Sequence, residues 1–320
     1  MAGRSAAPSR ILLTGAGGFV GRHLRTRLAA DFPTTRMLAT SETAAAGITR
    51  LDVTDAAAVR NAVAGFRPDA LVHLAALASA PQADRDLDRA WQVNFLSPRI
   101  LARAVLEFAP AASFLFISSA MVYGRSFRAG RPLTEAAPLE PLDTYAATKA
   151  AAEMALSAMT SEGLRLVRLR PFNHIGPGQS TAYVVASFAA QIARIEAGEQ
   201  PPELAVGALD AVRDFVDVRD VCAAYVTCLE RREMLESGTA INLASGVGRR
   251  IGTVLDELLA QSRVPIAVRT EEARLRPVDL PQSLGDPALA ARLLGWRPAT
   301  PWQTTLADIL RDARSCTGRH

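Results

Sequence analysis

A short, mostly apolar run, RILLT (10–14), stops at Gly15-Ala16-Gly17-Gly18-Phe19-Val20-Gly21, and helical spacing then continues to about Ala30. Strand, glycine turn and helix in that order constrain the fold strongly. They aim the turn's N–H groups and a helix N-terminus at whatever lies beyond the strand, a place suited to a pyrophosphate. The spacing Gly15-x-x-Gly18-x-x-Gly21 is tighter than the commonest dinucleotide fingerprint, so its strand–helix setting carries the nucleotide reading.

The alternation continues. Strands are predicted at 36–40, 48–52, 70–74, 114–118 and 164–170, and helices near 55–65, 85–108 and 143–161. Apolar strands separated by helices predict a parallel sheet covered on both faces, with ligands gathered beyond the strands' carboxyl ends. Gly15, Asp52, Ala75, Ser119 and Pro171 all fall at such ends.

Composition narrows the class. At 320 residues, 49% hydrophobic, the chain can bury a full core. No stretch approaches the roughly 18 apolar residues of a membrane helix. Residues 1–10 lack the apolar core of a secretory signal. Cys222, Cys228 and Cys316 are odd in number and lack metal-ligand spacing, so they read as reduced and structural. A cytoplasmic protein with no membrane partner and no metal is expected. The net charge of +4 is scattered, with Arg231-Arg232 and Arg249-Arg250 the densest pairs. That favours a solvated surface over a nucleic-acid partner, and suits an anionic small molecule.

One basic residue stands apart. Of 36 basic residues only Lys149 is lysine. It survives against a strong preference for arginine, which suggests a place where a compact ammonium is required. It lies four residues after Tyr145, on the same helical face. An ammonium beside a phenol favours the phenolate, so the pair is a candidate acid/base couple.

The segments TGAGGFVG (14–21), LDVTD (51–55), HLAA (73–76), SSAMVYG (118–124), YAATK (145–149) and RPFNHIGPGQ (170–179) together resemble the extended short-chain dehydrogenase/reductase family, in its order and spacing. The likeness continues through VRDFVDVRDV (212–221) to the C-terminus. It implies a Rossmann-type doubly wound parallel sheet, residues 1–171 with a returning segment near 214–245. A smaller C-terminal substrate-binding lobe, 172–213 and 246–320, would hold a nucleotide sugar. Gly15, Gly18 and Gly21 would cradle the pyrophosphate, with Phe19 beside them in the cofactor site. Asp52 and Val53 would meet the adenine, and Ala75 and Ala76 the nicotinamide ribose. Ser119 would donate to the substrate carbonyl and Tyr145 deliver the proton. Lys149 would lower the phenol's pKa and hold the ribose. The main chain at Pro171 and Phe172 would orient the nicotinamide. Asn94 reads either as a buried structural amide or as a group behind the site.

The resemblance also excludes. Family dehydratases carry a carboxylate directly after the serine, where this chain has Ala120 and Met121. The segment directly after Ser119 holds no cysteine, which argues against an epimerase–reductase. His174 reads equally as a loop residue or a substrate contact. Hydride transfer with one proton remains. The later segments resemble reductases of a GDP-linked 4-keto-6-deoxyhexose, implying GDP-4-keto-6-deoxy-D-mannose as substrate and GDP-D-rhamnose as product. By that likeness Asn173 and Gln179 would contact the substrate, Arg213 and Arg276 would clamp its diphosphate, and Asp279 would accept from the nucleotide ribose. Reduction from the opposite face, giving GDP-6-deoxy-D-talose, a nucleotide-sugar 4-epimerase and an inactive cofactor-binding scaffold are the alternatives. The strand at 36–40 runs into Thr40-Ser41 with no acid before Glu42, and Ser41, Arg22 or Arg36 would tolerate a 2′-phosphate. NADPH is therefore expected, with NADH possible. Helices near 85–108 and 143–161 suggest a homodimer.

Overall fold

The computed structural model describes residues 7–274 and 280–317. The first half supplies β1 (Arg10–Thr14), β2 (Arg36–Ser41), β3 (Thr49–Arg50), β4 (Ala70–His73), β5 (Ser113–Ile117) and β6 (Arg165–Pro171). Three strands then leave this sheet: β7 (Asn173–Ile175), β8 (Glu203–Val206) and β9 (Val212–Asp217). Next, β10 (Thr239–Leu243) returns, and β11 (Gly248–Arg250), β12 (Ala267–Thr270) and β13 (Gln282–Ser283) follow. The large sheet has the order β10-β6-β5-β4-β1-β2-β3, and all its pairings are parallel.

Side-chain alternation explains the layers. Ile11 and Leu13 point to one face, Leu12 to the other. The first face packs on helices Phe19–Asp31 and Val218–Arg231, through Leu24, Leu28, Val221 and Tyr225. The second packs on helices Ala56–Phe66, Ser97–Phe108 and Thr144–Ala158, through Val59, Leu101 and Leu156. With both faces covered, β4 and β5 are buried throughout. The chain winds outward from β1 to β3, then returns to β4 on β1's other side. That reversal opens a crevice at the carboxyl ends of β1 and β4.

A second core, built from Phe188, Ile192, Leu204, Phe215, Leu255, Leu258, Leu306 and Leu310, fills the smaller lobe. There β9 pairs with β7, β11 and β13. The sequence at 207–221 suggests a crossing back to the large sheet. The structure differs: β9 stays in the small sheet, and the return starts at Val218, whose helix packs on the Phe19–Asp31 helix. The single helix expected over 85–108 is also divided. Leu87–Trp91 and Ser97–Phe108 are joined by a π-helical turn, Gln92–Leu96, which carries Asn94. Such turns displace one side chain from the helical register and often mark functional positions. The strand expected at 48–52 shrinks to the exposed edge pair Thr49–Arg50.

Candidate active site

A cavity of about 480 Å³ occupies the crevice. One end begins at the glycine turn. Gly15 has φ +71°, and a Cβ there would lie 2.6 Å from the Ala75 nitrogen. A Cβ on Gly21 would lie 2.3 Å from the Gly15 oxygen. Both glycines let helix and strands approach more closely than any side chain allows. Gly18 caps the Phe19–Asp31 helix without a side-chain hydrogen bond, and the first turn holds no acid. The first N–H groups of a helix lack partners within it and carry its positive dipole end. Here they belong to residues lining the cavity: Phe19, Val20 and Gly21. This cradle fits the pyrophosphate of a dinucleotide.

Asp52, Val53, Ser41, Glu42 and Arg89 line the same end. Asp52 accepts from the Thr54 hydroxyl at 2.6 Å and from its N–H at 2.9 Å, which holds its carboxyl below the usual range. Ala75 and Ala76 lie midway, where β4 ends. Beneath them His73 is wholly buried, its Nδ1 2.7 Å from the Thr14 hydroxyl. Burial, helped by Lys149's charge, pushes His73 down to about 3, so it stays neutral.

Ser119, Tyr145 and Lys149 meet at the other end. Ser119 follows β5. Tyr145 and Lys149 come from the Thr144–Ala158 helix, whose start is fixed by Asp143 accepting from the Ala146 N–H at 2.7 Å. Lys149 is 2% exposed; its Nζ donates to the Ile117 carbonyl at 2.8 Å and lies 5.0 Å from the Phe116 ring centre. Burial lowers it to about 8, with Glu153 opposing. The Tyr145 phenol is pushed up to about 12 by burial, which outweighs the opposing pull of the Ser119 hydroxyl. The sequence reading had Lys149 acidify this phenol. Instead the ammonium is turned to the main chain under β5, and burial dominates. Asn94 is buried behind them, accepting from the Leu77 N–H at 2.9 Å and donating to the Thr148 hydroxyl at 3.2 Å.

Beyond β6, Pro171, Phe172, Asn173, His174 and Gln179 complete the wall. The His174 Nδ1 donates to the Phe172 carbonyl at 3.1 Å, and its ring stacks on Phe19 at 6.2 Å. Gln179 donates to the His174 carbonyl at 2.9 Å, while its Oε1 is buried without a partner. Arg213 departs from the expectation. Rather than lining the cavity, its Nη1 donates to the carbonyls of Val212 and Leu280, at 3.0 and 2.9 Å. These carbonyls come from two segments of the small sheet that sequence spacing does not bring together. Arg276 and Asp279 lie outside the described residues.

The structure adds residues that carried no motif. Tyr183 lines the cavity and donates to the Ala78 carbonyl at 3.1 Å. Ser118, Tyr225 and Ser283 also line it, each with a buried hydroxyl lacking a partner. Unsatisfied buried hydroxyls are costly and suit a wall completed by a ligand or water. Tyr225 sits among apolar helix positions, so its pattern reads as core. Among the described residues, the cavity's carboxylates are Glu42 and Asp52. Both stand at the glycine-turn end, away from Tyr145. The arrangement can polarise an oxygen with two hydroxyls and move one proton; it offers no acid beside them for eliminating water.

Glycine cradle, parallel sheet and Ser–Tyr–Lys group define a nicotinamide-dependent oxidoreductase of the extended short-chain class. The chain belongs to the NAD dependent epimerase/dehydratase family, whose model matches residues 11–244. It is similar to a GDP-6-deoxy-D-mannose reductase from Pseudomonas aeruginosa, 35% identical over 96% of this chain and 97% of that protein. A GDP-6-deoxy-D-talose 4-dehydrogenase from Aggregatibacter actinomycetemcomitans is 27% identical, over 89% and 91%. The structure of RMD from Pseudomonas aeruginosa complexed with NADPH superposes with a TM-score of 0.86 at 34% identity, covering 96% of this chain and 99% of that one.

Proposed function

We propose that this chain reduces the C4 ketone of GDP-4-keto-6-deoxy-D-mannose with NADPH, giving GDP-D-rhamnose. The observation that carries this reading is the meeting of Ser119, Tyr145 and Lys149 on one wall of the cavity, with the cavity's carboxylates at the opposite end. The likeness to a GDP-6-deoxy-D-mannose reductase and to an NADPH complex supports the nucleotide and the cofactor. In this reading residues 1–171 and the segment near 214–245 bind the dinucleotide, and 172–213 and 246–320 bind the GDP-linked sugar.

Bound NADPH supplies the hydride. The chain's own work is positional and protonic. Gly15, Gly18 and Gly21 bring the uncapped helix start against the pyrophosphate. Ser119 and Tyr145 donate to the ketone oxygen, and each such donor, aimed at the developing alkoxide, is worth about 3 kcal/mol. Tyr145 gives up its proton there, and Lys149 offsets the negative charge left behind. Asn173 and Gln179 hold the substrate, with Arg276 and Asp279 in the roles the sequence resemblance implies. Arg213 acts indirectly, tying the 280 segment to β9.

Lys149→Arg tests the fit of the ammonium. Guanidinium is wider and planar, and its fork would misplace the donor that the buried Lys149 ammonium aims at the Ile117 carbonyl. The expected loss is about 100-fold in kcat, by analogy with misplaced catalytic groups. Steady-state rates read with NADPH binding by nucleotide fluorescence will check it. Full activity would remove the case for lysine chemistry at this position.

The decisive assay is NADPH oxidation with GDP-4-keto-6-deoxy-D-mannose made in place, with the product identified by NMR. An equatorial C4 hydroxyl on the mannose ring supports the proposal. An axial one supports a second reading, GDP-6-deoxy-D-talose formation, favoured by the likeness to a GDP-6-deoxy-D-talose 4-dehydrogenase. No net turnover, with NAD retained through purification, would instead indicate a 4-epimerase.

A homodimer is also proposed. Leu87, Trp91, Leu96 and Met154 are large apolar residues exposed on the helices flanking the π turn and on the Thr144–Ala158 helix. Met154 is 68% exposed. Met154→Asp is expected to convert the dimer to a monomer by light scattering; a wild-type monomer would overturn this part.

A further inference from the structure

The layer between the Thr144–Ala158 helix and the sheet concentrates charge. Phe116 on β5 and Arg168 on β6 are register partners, and Arg170 follows on the same face. From the helix come Lys149 and Glu153, four residues apart and therefore on one side of it. Lys149, Glu153 and Arg170 are buried, while the Arg168 side chain is 19% exposed. Among the described residues, three cationic side chains thus share this layer with the Glu153 carboxylate. Its ion pairs are with Arg168 and Arg170, not with Lys149.

The other groups near Lys149 do not replace that carboxylate. β4 supplies His73, which burial, then the charge of Lys149, holds neutral. β5 supplies the Phe116 ring and the Ile117 carbonyl, and the π turn supplies Asn94. On the helix itself Tyr145 keeps its proton, and Asp143 caps the first turn by accepting from the Ala146 N–H. Glu135 stands beyond Arg170, its carboxylate accepting from the Asn242 N–H at 2.7 Å. Burial favours the neutral form of a lysine. The Ile117 carbonyl does not prevent that change, since it accepts from an amine as well as from an ammonium. Arginine stays protonated in proteins, so Lys149 is the cation here that can shed its charge.

We propose that Glu153 is a positioning residue that keeps Lys149 an ammonium, through the field of a carboxylate fixed on the same helix. Arg168 and Arg170 then have a double part. They make the layer cationic, and they pin the anion that balances it. In the reduction proposed above, the ammonium offsets the negative charge that Tyr145 keeps after giving up its proton. A neutral Lys149 would leave that charge unopposed in a buried site, where it is most costly. This catalytic consequence rests on the ketone-reduction reading; the protonation of Lys149 does not.

Lys149 is the chain's one lysine, so protein grown on carbon-13-labelled lysine gives one lysine side chain for NMR to titrate, without substrate or cofactor. The wild-type midpoint is expected at about 8, where burial, opposed by Glu153, sets it. Glu153→Gln keeps an acceptor for Arg170 but removes the charge. It should lower the midpoint by about one pH unit, the lower end of what a nearby opposite charge supplies. Glu153→Asp, which keeps the charge, should stay close to wild type. Glu153→Leu with Arg170→Met removes the carboxylate without stranding Arg170, and should also lower the midpoint. Unfolding cannot imitate this result, because an exposed lysine titrates at about 10.4, in the opposite direction. In the reductive assay, the alkaline fall in kcat should begin about one pH unit earlier in Glu153→Gln. A midpoint that stays in place in both folded variants lacking the carboxylate would overturn the proposal. A lowered midpoint with an unmoved kcat profile would overturn its catalytic consequence. The expected midpoints in a protein that reduces no keto sugar would bring down the reading above and leave the control of Lys149 standing.

Discussion

Tyr145→Phe should lower kcat by about 10²–10⁴-fold, the range for losing a positioned acid, while changing NADPH affinity only a few-fold. The ring remains and only the hydroxyl leaves, so packing is preserved. Ser119 keeps its place and can still polarise the ketone, but no proton donor remains in contact with it. The pH dependence gives a second signature. Burial sets the phenol at about 12, so it holds its proton throughout neutral pH. Reduction, which consumes that proton, should be flat between about pH 6 and 8. Oxidation of the product alcohol needs the phenolate and should rise about tenfold per pH unit there. A Phe variant with wild-type kcat, or a reductive rate falling through neutral pH, would reject this role.

Glu153→Ala should cost about 3–5 kcal/mol of stability, because it strands a buried guanidinium. Glu153 is fully buried on the helix that carries Lys149. Its carboxylate accepts from Arg170 Nε at 2.9 Å and from Nη2 at 2.6 Å, with Arg168 3.4 Å away. Arg170 also donates to the Tyr123 hydroxyl at 2.8 Å, which donates to Asn242 at 2.7 Å. Burial works against the Arg170 charge, but these partners outweigh it and raise its pKa. Removing one carboxylate therefore unsettles a chain of bonds from the helix through β6 to β10. Replacing both partners, Glu153→Leu with Arg170→Met, should recover part of the loss, since the buried Arg170 charge goes with its partner while Arg168 keeps the Gly238 carbonyl. Urea unfolding midpoints will decide; a single variant as stable as wild type would show the pair to be dispensable.

Much of this was legible in the chain. β4, β5 and β6 fall within one residue of the expected bounds, because buried parallel strands read as apolar runs. The glycines and Ser119 converge because each follows a strand's carboxyl end, and the Thr144–Ala158 helix brings Tyr145 and Lys149 to the same crevice. What failed was long-range. The resemblance implies a diphosphate clamp at Arg213, yet among the described residues it donates to the carbonyls of Val212 and Leu280, the latter far away in sequence. Spacing and resemblance place Tyr145 and Lys149 on one helical face but do not aim the ammonium, which donates to the Ile117 carbonyl. The π turn at Gln92–Leu96 leaves no compositional trace.

The large sheet is completed only when β10 pairs with β6, after the chain has built β7, β8, β9 and a long helix elsewhere. During synthesis β6 therefore emerges as a naked edge, bearing unpaired N–H and C=O groups while the small lobe is still being made. Such edges recruit other strands and promote aggregation. The interleaving also means that neither lobe is one uninterrupted stretch. A truncation at the end of β6 would yield a sheet with one flank open, not a smaller working unit. This enzyme is therefore expected to fold late and as a whole, and its vulnerable moment is on the ribosome.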